Sequence, residues 1–392
     1  MAETDPISDA ASETAPIDGF LAACLRSRLG TAPLPSWPPQ LDQRQREVAS
    51  RVFFHGIALL LWEGDPIAAG WPEGLAQRLR QEAAGQCFWE QSEHQAIGGL
   101  LEAFADAGLA AVVLKGTALA YSLYRDPAMR RRGDTDVLIA PERMALARRV
   151  LRAAGFAPVG ERLIFQEMWV KRKRGGFVHT IDLHWRIDGS ATVSSLLERG
   201  KLVQRTMPLP RLSQRAVGLD PLANLLLVCI NRAEHEVHGY LSAGEKLYEG
   251  DRLIWAADLD AICASLSHAD WAELLQLARA TGTSQCILSG LEFAHQALGT
   301  QIPEDVRAEL LRLPGAQDLM TYLSTRSTLV RLRLEIASTP RRIDKLRHLG
   351  RALAPQAQML RERFPDHPRW PIAALRARRL VEGLLKAMRA QV

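Results

Sequence analysis

Two aspartates stand one residue apart at the start of an apolar segment, in the run Arg-Gly-Asp-Thr-Asp-Val-Leu-Ile at 132–139. Because successive residues of a β-strand point to opposite faces, Asp134 and Asp136 would share one face while Val137 and Ile139 enter the core. Two like charges this close repel one another unless a cation neutralises them, and Mg²⁺ binds carboxylate oxygens while leaving room for phosphates. The spacing therefore predicts a site for Mg²⁺ or Mn²⁺.

A third carboxylate follows in an alternating segment, Val-His-Thr-Ile-Asp-Leu-His-Trp at 178–185. The alternation predicts a second strand, and Lys-Arg-Gly-Gly at 173–176 predicts the turn of a hairpin that contains it. If this strand pairs beside the first, Asp182 can reach the same ions as Asp134 and Asp136. Three carboxylates could then hold two ions roughly 3.5–4 Å apart, which activates an attacking hydroxyl and stabilises a leaving phosphate.

Upstream of these aspartates, Ala-Ala-Val-Val-Leu at 110–114 predicts a buried strand that leads through Lys115, Gly116 and Thr117 into a helix. A glycine at a strand-to-helix turn lets backbone N–H groups approach a phosphate, and a helix N-terminus favours negative charge. Lys115 and Thr117 would supply a cation and a hydroxyl to that phosphate. The alternative is a surface lysine followed by a threonine that caps the helix, which would need no ligand.

In this order, the strand, the Gly-Thr turn, the Asp-x-Asp pair and the later lone Asp resemble the signature of the polymerase-beta-type nucleotidyltransferase superfamily. More narrowly, Leu-Lys-Gly-Thr at 114–117, Arg130 ahead of Gly-Asp-x-Asp, and Ile-Asp-Leu-His-Trp at 181–185 are similar to an uncharacterised bacterial nucleotidyltransferase family found in biosynthetic gene clusters. The motifs cover about residues 95–190, and a weaker resemblance continues to about residue 310.

The resemblance implies transfer of a nucleoside monophosphate from a nucleoside triphosphate (NTP) to an acceptor, with pyrophosphate leaving. It implies that Asp134 and Asp136 ligate the metals and that Asp182 completes the site and helps to deprotonate the acceptor. It also implies nucleotide binding by a set of residues in the two segments that precede Asp134. These are Lys115, Gly116, Thr117, Arg130, Arg132 and Gly133.

The segment between Thr117 and Asp134 is longer than in minimal members of the superfamily and is rich in arginine. Guanidinium groups suit phosphates, and this loop leads directly into the acidic site, although a solvated loop is an equal alternative for any one arginine. Two histidines are candidates for the acceptor side. His184 is expected to be buried and hydrogen-bonded, and His235 follows Asn231 at helical i, i+4 spacing.

The composition is that of an ordinary globular protein, with 392 residues and 47% apolar residues, enough for two or three domains. The five cysteines form no Cys-x-x-Cys pair, so neither zinc nor a disulfide framework is indicated. The sequence has no signal-like start and no apolar run of about 18 residues that could span a membrane. These features predict a cytoplasmic protein.

The periodicity predicts an α+β fold: a small mixed nucleotidyltransferase-type sheet with flanking helices, plus a helical C-terminal domain that closes a cleft over it. The chain divides into five predicted parts. They are a disordered N-terminus (1–18), a helical N-terminal segment (19–108), the nucleotidyltransferase core (109–215), a helical domain (216–325) and a basic helical tail (326–392).

The tail, 326–392, holds 16 lysines and arginines against 5 acidic residues, so its net charge of +11 exceeds the +5 of the whole chain. Such a segment could contact an anionic partner: nucleic acid, an acidic leader peptide or a membrane surface. Alternatively, it is a helical cap that packs on the body through its leucines.

Three functions follow from these features. The first is a metal-dependent nucleotidyltransferase that acts on a small molecule, sugar or peptide. The second is a non-enzymatic helper that binds nucleotide or a biosynthetic partner. The third is an RNA-directed nucleotidyltransferase of toxin–antitoxin type that uses the basic tail.

Overall fold

Helices precede the first strand in the computed structural model of this chain. They are α1 (Pro6–Leu29), α2 (Gln45–His55), α3 (Ala58–Trp62) and α4 (Glu73–Asp106). The structure describes residues 6–30, 32–160, 165–173, 176–242, 245–247, 250–353, 360–361, 364, 366–367 and 369–389.

Helix α1 corrects the prediction of a disordered N-terminus at 1–18, because residues 6–18 are helical and residues 1–5 lie outside the described residues. Ile17 is fully buried, and the carboxylate of Asp18 accepts hydrogen bonds from Arg51 of α2 at 2.8 Å. His55 lies 2.9 Å from the same carboxylate. The polar composition concealed this helix because its partners are more than 30 residues away in sequence.

The middle of the chain forms the sheet together with short helices. In chain order these elements are β1 (Val112–Leu114), α5 (Lys115–Ser122), β2 (Thr135–Leu138), α6 (Met144–Ala153), β3 (Ala157–Val159), β4 (Gln166–Arg172), β5 (Val178–His184), α7 (Ala191–Arg199), β6 (Thr206–Pro208) and β7 (Val217–Leu219). The strand order is β3-β4-β5-β2-β1-β7-β6. The sheet is mixed, since β2 runs parallel to β5 and antiparallel to β1. Sheet and helices together confirm the predicted α+β class.

The centre of the sheet confirms the alternation predicted for its strands. Val137 and Ile139 are buried, with Ile181 and Leu183 beside them, in a core that is closed by α4 and α6. Phe104 of α4 is fully buried there. Strands β4 and β5 form the predicted antiparallel hairpin, although positions 174–175 of its turn lie outside the described residues. Between β2 and β3, one 3₁₀ turn at 141–143 leads into α6.

The boundary predicted after residue 215 falls too early, because β7 pairs in parallel with β1 and so belongs to the sheet. Three residues are too few for strand periodicity to show. Beyond β7 the chain is mostly helical. These elements are α8 (Pro221–His238), β8 (Tyr240–Ser242), β9 (Glu245–Leu247), α9 (Leu253–Ser265), α10 (His268–Thr281), α11 (Ser284–Leu298), α12 (Glu304–Arg312), α13 (Gln317–Ser324), α14 (Thr328–Ser338), α15 (Arg342–Leu353) and α16 (Ile372–Arg389).

Helix α8 shows why the C-terminal helices begin where they do. Pro221 occupies the first turn, where its missing N–H costs nothing, and the side chain of Asp220 accepts a hydrogen bond from the backbone N–H of Ala223 at 2.8 Å. The apolar faces of α8, α9 and α11 share one core with α1 and α3. The N-terminal helices α1 and α3 therefore pack against the C-terminal helices α8, α9 and α11.

The basic tail contacts the body through its first helix. Arg331 of α14 donates to Glu234 of α8 at 3.0 Å, and Glu335 accepts from the backbone N–H of Ala191 at 2.7 Å. Further on, Leu375 of α16 is buried against Leu360. In the described part of the tail, these polar contacts attach α14 to the body, whereas Leu375 packs within the tail itself. Within the described residues, no helix is long and apolar enough to cross a membrane.

Candidate active site

A cavity of about 680 Å³ lies between the sheet and helices α2, α8 and α9. Its floor carries the three predicted carboxylates together with Gln166 and the turn that begins α5. The opposite wall is built from the helices. The residues of that wall are Phe53, Asn231, His235, Arg252 and Trp255. The predicted cleft between the core and the helical domain is this cavity.

Asp136 lies at the centre of the floor and is 6% exposed. Lys115 Nζ donates to Asp136 Oδ1 at 2.8 Å, and His184 Nε2 lies 2.9 Å from the same oxygen. Burial alone would raise the pKa of Asp136, but the Lys115 ammonium and the His184 hydrogen bond hold it well below its usual value. Asp136 therefore stays ionised, and Lys115 balances its charge.

Asp182 faces Asp136 directly, because the two are partners in the parallel register of β2 and β5. Gln166 donates to Asp182 Oδ2 at 3.1 Å. Burial, followed by repulsion from Asp134 and Asp136, raises the pKa of Asp182 to about 7. Desolvation of the Asp134 carboxylate, followed by repulsion from Asp136, raises the pKa of Asp134 to about 6. The floor thus carries more negative charge than its own cations neutralise.

The donor atoms of the floor fit a divalent cation. One ligand atom from each of Asp136, Asp182 and His184 lies within 4.8 Å of the others. Asp134 also lines the cavity but is not a member of that tight group. Carboxylate oxygens suit Mg²⁺ or Mn²⁺, and mutual repulsion among the carboxylates favours binding of a cation. The structure thus brings Asp136 and Asp182 together, with His184 closer to them than Asp134.

The raised pKa of Asp182 gives a prediction about stability. In EDTA, Asp182→Asn is expected to melt at a higher temperature than the wild type at pH 8, with a smaller difference at pH 5. The pKa of about 7 in the folded protein exceeds the value of 3.8 expected without these neighbours, so folding favours the protonated acid and loses stability as the pH rises from about 4 through 7. Asparagine carries no charge and avoids that loss. Calorimetric melting at the two pH values measures it, and a variant that melts below the wild type at pH 8 would contradict this electrostatic account.

The turn between β1 and α5 contains one residue with a positive φ. The left-handed backbone conformation falls on Lys115, with φ of 51°, and not on Gly116. Gly116 is needed for space, since a Cβ there would lie 3.2 Å from Arg130 Nη1 and 3.6 Å from Arg132 Cβ. Lys115 is a partner of Asp136 and not the surface lysine of the alternative reading.

Thr117 lies beneath the floor and not on the cavity wall. Its side chain is buried, with Oγ1 2.9 Å from Thr135 Oγ1, and it accepts a hydrogen bond from Arg132 Nε at 2.9 Å. It does not cap the helix either, because the N-cap of α5 is Leu114. Thr117 therefore fastens the turn to strand β2, and direct contact with a triphosphate stays a prediction without support from its position.

The arginine loop is held between two helices. Arg130 forms a bidentate ion pair with the fully buried Asp258 of α9, with Nη2 2.6 Å from Oδ2 and Nε 3.1 Å from Oδ1. Arg132 pairs with Glu90 of α4, with Nη1 2.7 Å from Oε2. Both arginines and Gly133 line the cavity. The loop is thus neither solvated nor simply aimed at a phosphate, because two of its guanidinium groups are committed to carboxylates of the scaffold.

A buried network beneath the floor was missed in the sequence. Glu93 of α4 is fully buried, accepts a hydrogen bond from Thr135 at 2.9 Å and pairs with His179 of β5. It therefore links side chains of both carboxylate strands to α4. One signal could have found it, since Glu90, Glu93 and Ile97 follow one another at helical i, i+3 and i, i+4 spacing on a face that is otherwise apolar.

The two acceptor-side histidines have different surroundings. His235 lines the cavity, stacks on Trp255 with ring centroids 6.0 Å apart, and its Nδ1 lies 2.8 Å from the carbonyl oxygen of Gly239. Burial lowers the pKa of His235. His184 is buried against Asp136, as expected, but it does not line the open part of the cavity. Of the two histidines, only His235 lines the cavity.

The fold and the site together define a nucleotidyltransferase-type protein, with carboxylates on two adjacent parallel strands and a lysine-glycine turn beside them. The chain belongs to a family of uncharacterised nucleotidyltransferases, whose family model matches residues 42–299. The match includes helices α2 to α11 and all residues that line the cavity, and it leaves out the basic tail. The expected family is therefore confirmed.

Among solved structures, the chain is similar to the crystal structure of an antigenic nucleotidyltransferase-like protein from Paracoccidioides brasiliensis. The identity is 15%, the alignment covers 58% of this chain and 96% of that one, and the TM-score is 0.34. A search of curated proteins found no significant match.

Proposed function

We propose that this protein is a divalent-metal-dependent nucleotidyltransferase that moves a nucleoside monophosphate from an NTP to a hydroxyl or similar group of a small-molecule, sugar or peptide acceptor. The observation that carries the proposal is the register of β2 and β5, which sets Asp136 directly beside Asp182 on the floor of a cavity of about 680 Å³. That volume lies in the range of small-molecule sites. Family membership supports the class of reaction.

Asp136 and Asp182, with Asp134 beside them, would hold the divalent cation. When bound, the cation lowers the pKa of the acceptor hydroxyl and neutralises charge that develops on the pyrophosphate. The ionised Asp136 is fixed in place by Lys115 and His184, so the charge that anchors the site needs no rearrangement.

Asp182, set beside Asp136 by the register of β2 and β5, is the carboxylate that would accept the proton of the acceptor hydroxyl. Lys115 supplies a positive charge at the start of α5, next to the N–H groups of the helix N-terminus, and would attract the triphosphate. The ion pairs of Arg130 and Arg132 keep the loop between these groups in one conformation. The helices of the opposite wall would orient the acceptor.

NTP binding tests this proposal. Each of the four NTPs is titrated into the protein by calorimetry with Mg²⁺ or Mn²⁺ and again with EDTA, and binding of at least one NTP is expected only with the cation. Lys115→Ala should weaken that binding by about 1.5–3 kcal/mol, the typical contribution of a charge-assisted hydrogen bond. Lys345→Ala, a change in α15 outside the family match, is the control. Equal affinity with and without EDTA would remove the metal from the proposal.

A further inference from the structure

Two arginines lie on aromatic rings of the wall opposite the carboxylates. The guanidinium carbon of Arg131 lies 3.8 Å from the ring centroid of Phe53, and that of Arg252 lies 5.7 Å from Trp255. All four side chains line the cavity. A guanidinium group stacked on a ring is held in orientation while its in-plane N–H groups can meet an anion. The proposed chemistry at the floor uses neither arginine.

Gly56 lies next to both arginines. It ends helix α2 with φ of 72°, and a Cβ at this position would lie 3.0 Å from Arg252 Nη2 and 3.6 Å from Arg131 Cβ. A side chain there would crowd the Arg252 guanidinium and strain the backbone, whereas Arg131 would stay at an ordinary contact distance. Arg252 is fixed further by its Nε, which donates to the carbonyl oxygen of Phe54 at 2.6 Å. Two side chains from segments 121 residues apart thus lie beside the same end of helix α2.

The charges of the cavity are separated between its two sides. Asp134, Asp136 and Asp182 are on the floor with Lys115, whereas Arg252 is on the helical wall and Arg131 reaches that wall from the arginine loop through its contact with Phe53. An anionic group that enters the cavity is repelled by uncompensated carboxylates and attracted to the arginines, and the low dielectric of a partly enclosed site strengthens both effects. The helical wall is therefore the place where an anion would be held.

We propose that Arg131 and Arg252 form an anion-binding subsite that takes a phosphate-type group of a substrate, supplied either by the acceptor or by the terminal phosphates of the NTP. This inference rests on the proposed function for the identity of the substrates, but the subsite itself requires only the two arginines. Two guanidinium forks at one place favour a phosphate over a single carboxylate, since each fork can donate two parallel hydrogen bonds.

The test uses tripolyphosphate as the probe, with EDTA present so that the floor does not contribute through a metal. Calorimetry is expected to show binding to the wild type that weakens at least about tenfold in Arg252→Met and in Arg131→Met, equivalent to about 1.4 kcal/mol for each lost charge. Methionine keeps the length and apolar character of the side chain. Arg215→Met, which removes an exposed arginine paired with Asp106, should bind tripolyphosphate like the wild type. Arg131→Met keeps the test valid if loss of the Arg252 contact with Phe54 unfolds the other variant.

A second titration, of a non-hydrolysable NTP analogue with Mg²⁺, identifies the source of the anion. If Arg131→Met and Arg252→Met bind the NTP analogue more weakly by the same factor as tripolyphosphate, the subsite is assigned to the triphosphate. If both variants bind the analogue with the wild-type affinity, the subsite is assigned to the acceptor. Tripolyphosphate binding that is the same in both variants and the wild type would overturn the subsite. If the wild type binds no NTP analogue yet binds tripolyphosphate through the arginines, the proposed function fails and the subsite stands.

Discussion

Asp136→Asn is expected to lower nucleotidyl transfer by at least about 10²-fold, the cost of removing one preorganised electrostatic group from a site of this kind. The amide preserves the shape of the side chain but removes the charge that faces Asp182 across β2 and β5. It also leaves Lys115 without its carboxylate partner. Release of pyrophosphate from each NTP, with a cell extract as the source of acceptor, measures the loss.

The fold is expected to survive this change, because Lys115 is about one third exposed and its ammonium can be hydrated. Asp305→Asn, a change on the exposed first turn of α12, is the matched control and should retain wild-type release of pyrophosphate. Circular dichroism of both variants checks their folding. Equal activity of Asp136→Asn and wild type would show that the floor is not the site of reaction, and the helper function would then explain the family membership better.

Asp258→Ala is expected to reduce the free energy of unfolding by about 3–5 kcal/mol, the usual result of removing one partner of a buried ion pair. Asp258 is fully buried and accepts hydrogen bonds from both Arg130 and Tyr124. Its loss leaves the Arg130 charge buried without compensation and releases the arginine loop from α9. Equilibrium unfolding in urea measures the change.

Two further variants separate the buried charge from the fold around it. Arg130→Met combined with Asp258→Leu removes both charges and should recover most of the lost stability, since an apolar pair of similar size can replace a buried ion pair. Glu309→Ala breaks the exposed pair with Arg279 and should cost no more than about 1 kcal/mol. A cost for Asp258→Ala as small as that of Glu309→Ala would mean that the Arg130 pair does not hold the loop.

The residues of the floor could be predicted because their signals are local. Alternation along 134–139 and 178–184 assigned the faces of both strands, whereas their parallel pairing was only a condition of the prediction and is seen in the structure. The start of α8 at Asp220 and Pro221 was equally local, because capping depends on residues only three positions apart.

The supports of the floor could not be predicted, since their partners are far away in sequence. Arg130 and Asp258 are separated by 128 residues, and Arg132 and Glu90 by 42. A free arginine and one paired with a scaffold carboxylate have the same appearance in a sequence. The same reason explains why Thr117 seemed to point toward a phosphate when it lies beneath the floor.

Transfer of label from an NTP tests the central claim most directly. Wild-type protein is incubated with Mg²⁺, a cell extract, and NTP labelled either at the α-phosphate or at the γ-phosphate. The proposed function predicts that the α-label moves to an acceptor, that the γ-label leaves in pyrophosphate, and that Asp136→Asn produces neither product. Transfer of the γ-label to the acceptor, or transfer of the α-label by Asp136→Asn at the wild-type rate, would contradict a nucleotidyltransferase built on Asp136 and Asp182.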